Sequence, residues 1–293
     1  MIPKPVETAF LELITNKTGE ASKILKASGL SGGCINDAAR VETTAGVFFL
    51  KWNHAGRYPG MFASEARGLK LLAAAEAVQV PAVTGQGEAG EHTFLALEYI
   101  EQERSTGDFW KDFGEGLVRL HRNTDSQFGL DHDNYIGSLP QSNQRHDSWV
   151  GFFTGERLEA QGRLARDSGR AGSELSRALG RMYPRLHHFF PEEPPALLHG
   201  DLWSGNYMTG PDGKAVIIDP AVYYGHRYMD LGMSKLFGGF AAEFYQHYHE
   251  AWPLDAGWRD GVEVANLYPL LVHVNLFGGG YLGSVMSILK RYS

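Results

Sequence analysis

Apolar and polar positions follow one rule in the first third of this chain and another in the rest. Early on, short apolar runs dominate. Gly46-Val47-Phe48-Phe49-Leu50-Lys51-Trp52 and Thr93-Phe94-Leu95-Ala96-Leu97-Glu98-Tyr99-Ile100 are too short for core helices and rich in bulky residues, so they predict buried strands. The small-residue stretch Ser28 to Cys34 predicts a turn between two strands. Met61 to Ala77 lacks proline, is rich in Ala, Leu, Glu and Lys, and carries apolar residues at helical spacing. It predicts an amphipathic helix, with Pro81 barring any continuation.

After about residue 107 the period becomes helical. Asp108 to Arg122, with Asp108 as the expected cap, Trp149 to Arg166 and Ser173 to Phe190 all predict helices. Glu192-Glu193-Pro194-Pro195 breaks the pattern. Two short apolar strands follow, at Ala196 to Leu198 and Lys214 to Ile218, the second led in by a Pro-Asp-Gly turn. From Asp230 onward the chain predicts helices rich in aromatics. No repeat is present, and 293 residues at roughly 150 per domain suit two lobes of one α+β protein. The expected division is a smaller sheet lobe over 1–100 and a larger helical lobe over 101–293, with the seam near Glu101 to Gly107.

Charge and composition narrow the partners. Against 34 acidic residues stand 27 basic ones, for a net charge of −7, and no basic block exists. A nucleic-acid-binding or membrane-adsorbing surface is therefore not expected. No apolar run approaches the ~20 residues of a membrane span, and Met1-Ile2-Pro3-Lys4-Pro5 has no apolar signal core, so a cytoplasmic location is expected. Cys34 is the single cysteine, which excludes an internal disulfide framework and a Cys-rich zinc site.

The candidate chemistry lies in Leu197-Leu198-His199-Gly200-Asp201-Leu202-Trp203-Ser204-Gly205-Asn206, followed by Ile217-Ile218-Asp219-Pro220. Asp201, Asn206 and Asp219 lie on two loops that each leave a short apolar strand. If those strands pair, two carboxylates and an amide converge, and such a cluster needs a cation or a proton to offset repulsion. An all-oxygen set with few protein donors is what Mg²⁺ accepts when phosphates supply the rest. The order matches the kinase pattern H-R-D-x-x-x-x-N followed by a metal-binding Asp, with glycine in place of arginine and Asp-Pro in place of Asp-Phe. In that pattern Asp201 takes the proton of an attacking hydroxyl, and Asn206 and Asp219 hold the metal. Lys51, at the end of its strand, and Glu65, in the following helix, have the order of a phosphate-holding pair. Gly32 and Gly33 would let backbone N–H groups approach phosphates, although the loop is not G-x-G-x-x-G and a hairpin turn explains it as well. Glu98-Tyr99-Ile100 would be the adenine-bonding linker. Asp230 would cap a helix and brace the catalytic loop.

The chain resembles the fructosamine kinase (ketosamine-3-kinase) family of the protein-kinase-like superfamily, close to aminoglycoside phosphotransferases. Besides the His199-to-Asn206 loop, the resemblance rests on Ser31-Gly32-Gly33-Cys34-Ile35, Met61 to Leu69, Asp133 to Ser138, Trp149 with Phe152-Phe153, and Arg157-Leu158 with Gln161. Asp219-Pro220-Ala221, Tyr224-Gly225-His226-Arg227 and Leu236-Phe237-Gly238-Gly239-Phe240 extend it. It implies a bilobal protein-kinase-like fold and transfer of a phosphoryl group from Mg-ATP to the sugar 3-hydroxyl of a ketosamine, which destabilises the adduct and reverses glycation. Carried over, Asp201 is the base, Asn206 and Asp219 are magnesium ligands, Lys51 and Glu65 position the phosphates, and Glu98-Tyr99-Ile100 holds adenine.

The family usually has Glu where Tyr228 stands here, which opens the question of amine and sugar preference. Trp203, His226 and Arg227 are candidate substrate residues: an indole face suits a sugar ring, and a guanidinium fork suits a hydroxyl or carboxylate. Each is equally explained by packing. A monomer is expected, with oxidation of Cys34 as a route to a linked dimer or a blocked ATP site. Two other readings stand beside this one: a kinase of an aminoglycoside, choline or another hydroxylated amine, and a catalytically silent nucleotide-binding scaffold.

Overall fold

The computed structural model describes residues 1–30 and 35–293. Gly32, Gly33 and Cys34 therefore lie outside the described residues. The chain divides into two compact units, residues 1–106 with 208–218 and residues 107–207 with 219–293.

The first unit is built on a five-stranded antiparallel sheet. Its strands are β1 (Ile24–Leu30), β2 (Asp37–Thr43), β3 (Gly46–His54), β4 (Val83–Ala89) and β5 (His92–Glu98), in the order β1-β2-β3-β5-β4. Side chains alternate between the two faces, and each face has its own helix. Helix α1 (Lys4–Thr18) lays Val6, Phe10 and Ile14 against Leu50, Trp52, Phe94 and Ala96. Helix α2 (Met61–Ala74) lays Phe62, Ala66 and Leu69 against Leu95 and Leu97. Cover on both faces explains why Phe94 to Leu97 of β5 is an unbroken apolar run. Lys51 falls between Leu50 and Trp52, so strand parity turns it to the α2 face. It lies within β3, three residues short of the strand's end, opposite Leu95. Residues 208–218 complete this unit: Ile217 N donates to Gln79 O at 2.9 Å, and Gln79 Nε2 donates to Asp212 at 2.7 Å.

The sequence reading did not foresee α1. Pro3 and Pro5 look like breakers, yet they stand at the start of the helix, where a missing N–H costs nothing. Its end is clean, since Gly19 adopts φ +77° and donates to Thr15 O at 2.8 Å.

The second unit is largely helical. In chain order it contains α3 (Phe109–His121), the hairpin β6 (Asn134–Ile136) with β7 (Leu139–Gln141), and α4 (Trp149–Phe152), which runs through a π-helical stretch at Phe153–Glu159 into α5 (Ala160–Asp167). Then come α6 (Ser173–Met182), a 3₁₀ turn at Tyr183–His188, and the short strands β8 (Ala196–Leu198) and β11 (Tyr223–Gly225); between these two the chain forms β9 (Tyr207–Thr209) and β10 (Ala215–Ile217), whose residues 208–218 belong to the first unit. The C-terminal part holds α7 (Tyr228–Leu236), α8 (Ala242–Ala251), α9 (Trp258–Ala265), α10 (Leu267–Phe277) and α11 (Tyr281–Tyr292). Asp108 precedes α3 without making a side-chain cap bond. The strand pairing expected from sequence is corrected: β8 pairs with β11, while β10 pairs with β9. No helix among the described residues is long and apolar enough to cross a membrane.

Candidate active site

The loop after β8 is held from both sides. Leu198 lies opposite Tyr223 in the β8–β11 pair, and Ala221 N donates to His199 O at 2.9 Å, which brings the Asp219–Ala221 segment beside His199. Convergence of Asp201 with Asp219 therefore comes from the strand after Asp219 rather than the one before it. Gly200 has φ +84°, and a Cβ there would sit 2.0 Å from Ala221 O, so only glycine permits this approach. Asp219 takes φ +51°, a conformation sparsely populated by side-chain-bearing residues and concentrated at functional sites.

Within the loop, Asn206 Nδ2 donates to both the backbone oxygen of Asp201, at 2.9 Å, and its Oδ2, at 3.0 Å. Desolvation pushes the Asp201 carboxyl up; the Asn206 bond opposes this, and the negative charges of Asp219 and Asp230 add to it, leaving it at about 7. Asp230, in the first turn of α7, accepts from His199 N at 2.8 Å and Gly200 N at 2.9 Å. It braces the loop as expected, though it caps no helix. Burial alone would raise Asp230, but the hydrogen bond and charge of His121 and the Gly200 N–H hold it below the usual carboxylate range. His121, which the sequence reading missed, ends α3 and bonds Asp230 at 3.1 Å and Tyr248 Oη at 2.8 Å. No local pattern distinguishes it from any histidine near a helix C-terminus.

In the first unit, Lys51 Nζ lies 2.5 Å from Glu65 Oε1, both nearly buried, with the ammonium over the Phe62 ring. Glu98 takes an N–H bond from Ala82 on its side chain and gives its own N–H to Ala82 O. Tyr99, the first residue past β5, lies beneath the Arg40 guanidinium at 4.9 Å, and Ile100 follows it.

His226 and Arg227 are corrected. Both are buried, and their polar atoms are committed to the protein. His226 Nε2 bonds Pro191 O at 3.2 Å and Nδ1 accepts from Tyr228 N; burial and the adjacent Arg227 charge drive its pKa down to about 3. Arg227 grips both oxygens of Glu193 at 2.7–2.8 Å, donates to Trp252 O and Pro253 O, and stacks 4.0 Å from the Trp252 ring centroid. Neither presents a group to a substrate. Tyr228, the departure from the family pattern, is likewise interior and donates to Asp255 at 2.6 Å. Trp203 differs: it is exposed, folded over Gly205, where a Cβ would meet the indole at 2.3 Å.

The donor set suits a hard cation. Asn206 and Asp219 offer oxygen alone, and the Asp219 charge that raises Asp201 is one a cation would offset. Among the described residues there is no group of three or more His, Cys, Asp or Glu that could hold a metal.

Comparison with known proteins agrees over almost the full length. A probable ketoamine kinase of Synechocystis is 40% identical over 99% of this chain and 97% of its own. The chloroplastic protein-ribulosamine 3-kinase of Arabidopsis thaliana is 38% identical over 94% of this chain and 84% of its own. A Thermobifida fusca crystal structure solved under a fructosamine-3-kinase name superposes with a TM-score of 0.86 at 32% identity, covering 96% of this chain and 97% of that one. The aminoglycoside phosphotransferase APH(4)-Ia shares the fold, with a TM-score of 0.64 at 16% identity over 98% and 99% of the two chains. The profile described as fructosamine kinase matches residues 6–293, and the chain belongs to that family.

Proposed function

We infer that the chain transfers the γ-phosphoryl group of ATP to the 3-hydroxyl of a ketosamine, the rearranged adduct of a sugar with an amine, and so initiates its removal. The observation that carries this reading is Asp201. Its carboxyl is fixed by Asn206 on a loop pinned by Asp230, which suits a group that must be held in one place to take a hydroxyl proton. Family membership and relatives named as ketoamine and ribulosamine kinases support the acceptor class.

Asp201 accepts the proton from the attacking hydroxyl and orients its oxygen, while Asn206 holds the carboxyl in one rotamer. Asn206 and Asp219 are the proposed magnesium ligands; magnesium, when bound, neutralises phosphate charge and the repulsion around Asp201. Lys51, kept in place by Glu65, is the proposed phosphate-positioning ammonium, and the backbone of Glu98-Tyr99-Ile100 the proposed adenine site. Little covalent chemistry falls to the protein, so positioning and charge neutralisation supply most of the rate.

Asp201→Asn should lower kcat with a ribulosyl-amine by about 10²–10⁴-fold and leave ATP affinity within a few-fold. Labelled ATP, offered with ribulosyl-lysine, fructosyl-lysine and an aminoglycoside, measures this. Undiminished turnover in the variant would remove Asp201 as the base, and transfer to the aminoglycoside alone would remove the ketosamine reading.

A further inference from the structure

Arg157 is fully buried and lies in the π-helical stretch Phe153–Glu159. Such stretches are uncommon and concentrate at functional sites. Three rings enclose the guanidinium: the centroids of Tyr223, Phe152 and Tyr268 stand 4.1, 4.5 and 5.2 Å from its carbon. Its N–H groups donate to neutral oxygens, those of Ser142 O, Glu156 O and Asn143 Oδ1. A buried cation held by neutral acceptors is costly, so packing gives little reason for it.

Its hydrogen bonds give a better one. A guanidinium can only donate. Asn143 therefore turns Oδ1 to Arg157, at 2.7 Å, which leaves Nδ2 to face Asn134 Oδ1 at 3.0 Å. Asn134 then has its own Nδ2 to give, and it donates to Val222 O at 2.8 Å. A second branch runs beside the first. Tyr268 Oη donates to Gln141 Oε1 at 2.6 Å, and Gln141 Nε2 donates to Asn134 Oδ1 at 2.7 Å and to Ala221 O at 3.2 Å. Asn134 and Gln141 face each other across the β6–β7 hairpin, and all five side chains are buried. Each amide thus has one orientation, and each bond polarises the next.

Both branches end on the carbonyls that follow Asp219-Pro220. Asp219 is exposed and holds φ +51°, a conformation that persists only where the surroundings over-determine it. Ala221 supplies restraint from two sides: its N–H donates to His199 O at 2.9 Å, and its oxygen takes the Gln141 amide. We propose that Arg157 is a positioning residue for Asp219, acting through Asn143, Asn134 and Gln141 to keep that carboxylate where it can serve as a metal ligand. This rests on the metal role given to Asp219 above. Without a donor-only group at its head the chain of amides could invert. Asn134 would then turn its oxygen on Val222 O and push the segment away.

Asn143→Asp separates this role from packing. The new carboxylate pairs with Arg157, yet it has no N–H to give Asn134. Packing alone predicts a melting temperature at or above that of the wild type and unchanged metal binding. Positioning predicts weaker metal binding in a folded protein. The probe is Mn²⁺, with its affinity read by water-proton relaxation on protein saturated with a non-hydrolysable ATP analogue. That affinity should fall about tenfold in Asn143→Asp, and by a smaller factor in Tyr268→Phe, which removes one hydroxyl. With a ribulosyl-amine, kcat should fall alongside while the acceptor KM stays within about twofold. Asn275→Leu is the control: it loses buried bonds to Gln161, at 2.8 and 3.0 Å, elsewhere in this unit. Its melting temperature should fall with Mn²⁺ affinity unmoved. Unchanged Mn²⁺ affinity in both Asn143→Asp and Tyr268→Phe, or an equal loss in Asn275→Leu, would overturn the positioning role and leave phosphotransfer standing. A wild-type complex that binds no Mn²⁺ would overturn it together with the metal role of Asp219.

Discussion

At the scale of single residues, His226 is a buried titratable group outside the catalytic loop that makes stability depend on pH. It is neutral when folded, with a pKa near 3 against about 6.5 unfolded. Because the folded value is depressed, the unfolded chain binds the extra proton, so this contribution to stability is complete above pH 6.5 and is lost as pH falls toward 3. Lowering the pH from 7 to 5 should cost about 2 kcal/mol through this residue alone. Denaturant titrations at the two pH values measure the loss, which should shrink by that amount in His226→Gln. His226 and Arg227 also show the limit of reading side chains from sequence. A His-Arg pair shortly after a catalytic loop has the chemistry of a substrate site, and only burial and the partners Pro191 and Glu193 turn it into packing. Asp201, Asn206 and Asp219 stand out in the sequence because the chemistry proposed for them requires a fixed spacing. His121 was not, because its partners lie 109 and 127 positions away.

At the scale of elements, α7 ties the loop to the helical unit through one carboxylate. Asp230→Ala would leave the His199 and Gly200 N–H groups and the His121 ring without their acceptor, at a cost of about 3–5 kcal/mol. Asp230→Asn retains one acceptor oxygen and should lose less. Guanidinium melts rank the two variants, and a fall in kcat at a temperature where both remain folded would report loop disorder. The central strands of the first sheet and α2 follow directly from apolar periodicity. The β8–β11 pairing does not, since three-residue strands carry no register signal, and the partner lies beyond an intervening hairpin. The π-helical stretch at Phe153–Glu159 is equally silent in sequence, because its residues share the spacing of the α-helices on either side.

At the scale of the whole molecule, the sheet-rich and helix-rich halves were legible from the change in period, and the unit boundary falls between Thr106 and Gly107. What the linear reading missed is that the first unit is discontinuous. Glu103 N donates to Thr209 O, Thr106 N to Gly213 O and Ile217 N to Gln79 O, so residues 208–218 supply bonds that residues 1–106 cannot make alone. A 1–106 fragment should therefore be less stable, by about 2–4 kcal/mol, than the same fragment with 208–218 attached through a flexible linker. Urea midpoints and amide exchange near Gln79 and Glu103 measure the difference.

That discontinuity has a consequence for synthesis. A ribosome delivers the first two-fifths of the chain and then must translate about a hundred more residues before the missing hairpin leaves the exit tunnel. At ~5–20 residues per second the wait is on the order of 10 s, longer than typical small domains need to fold. The nascent sheet therefore waits with the hydrogen-bonding groups near Gln79 unsatisfied, exposed to chaperones and proteases, until its own distant segment arrives.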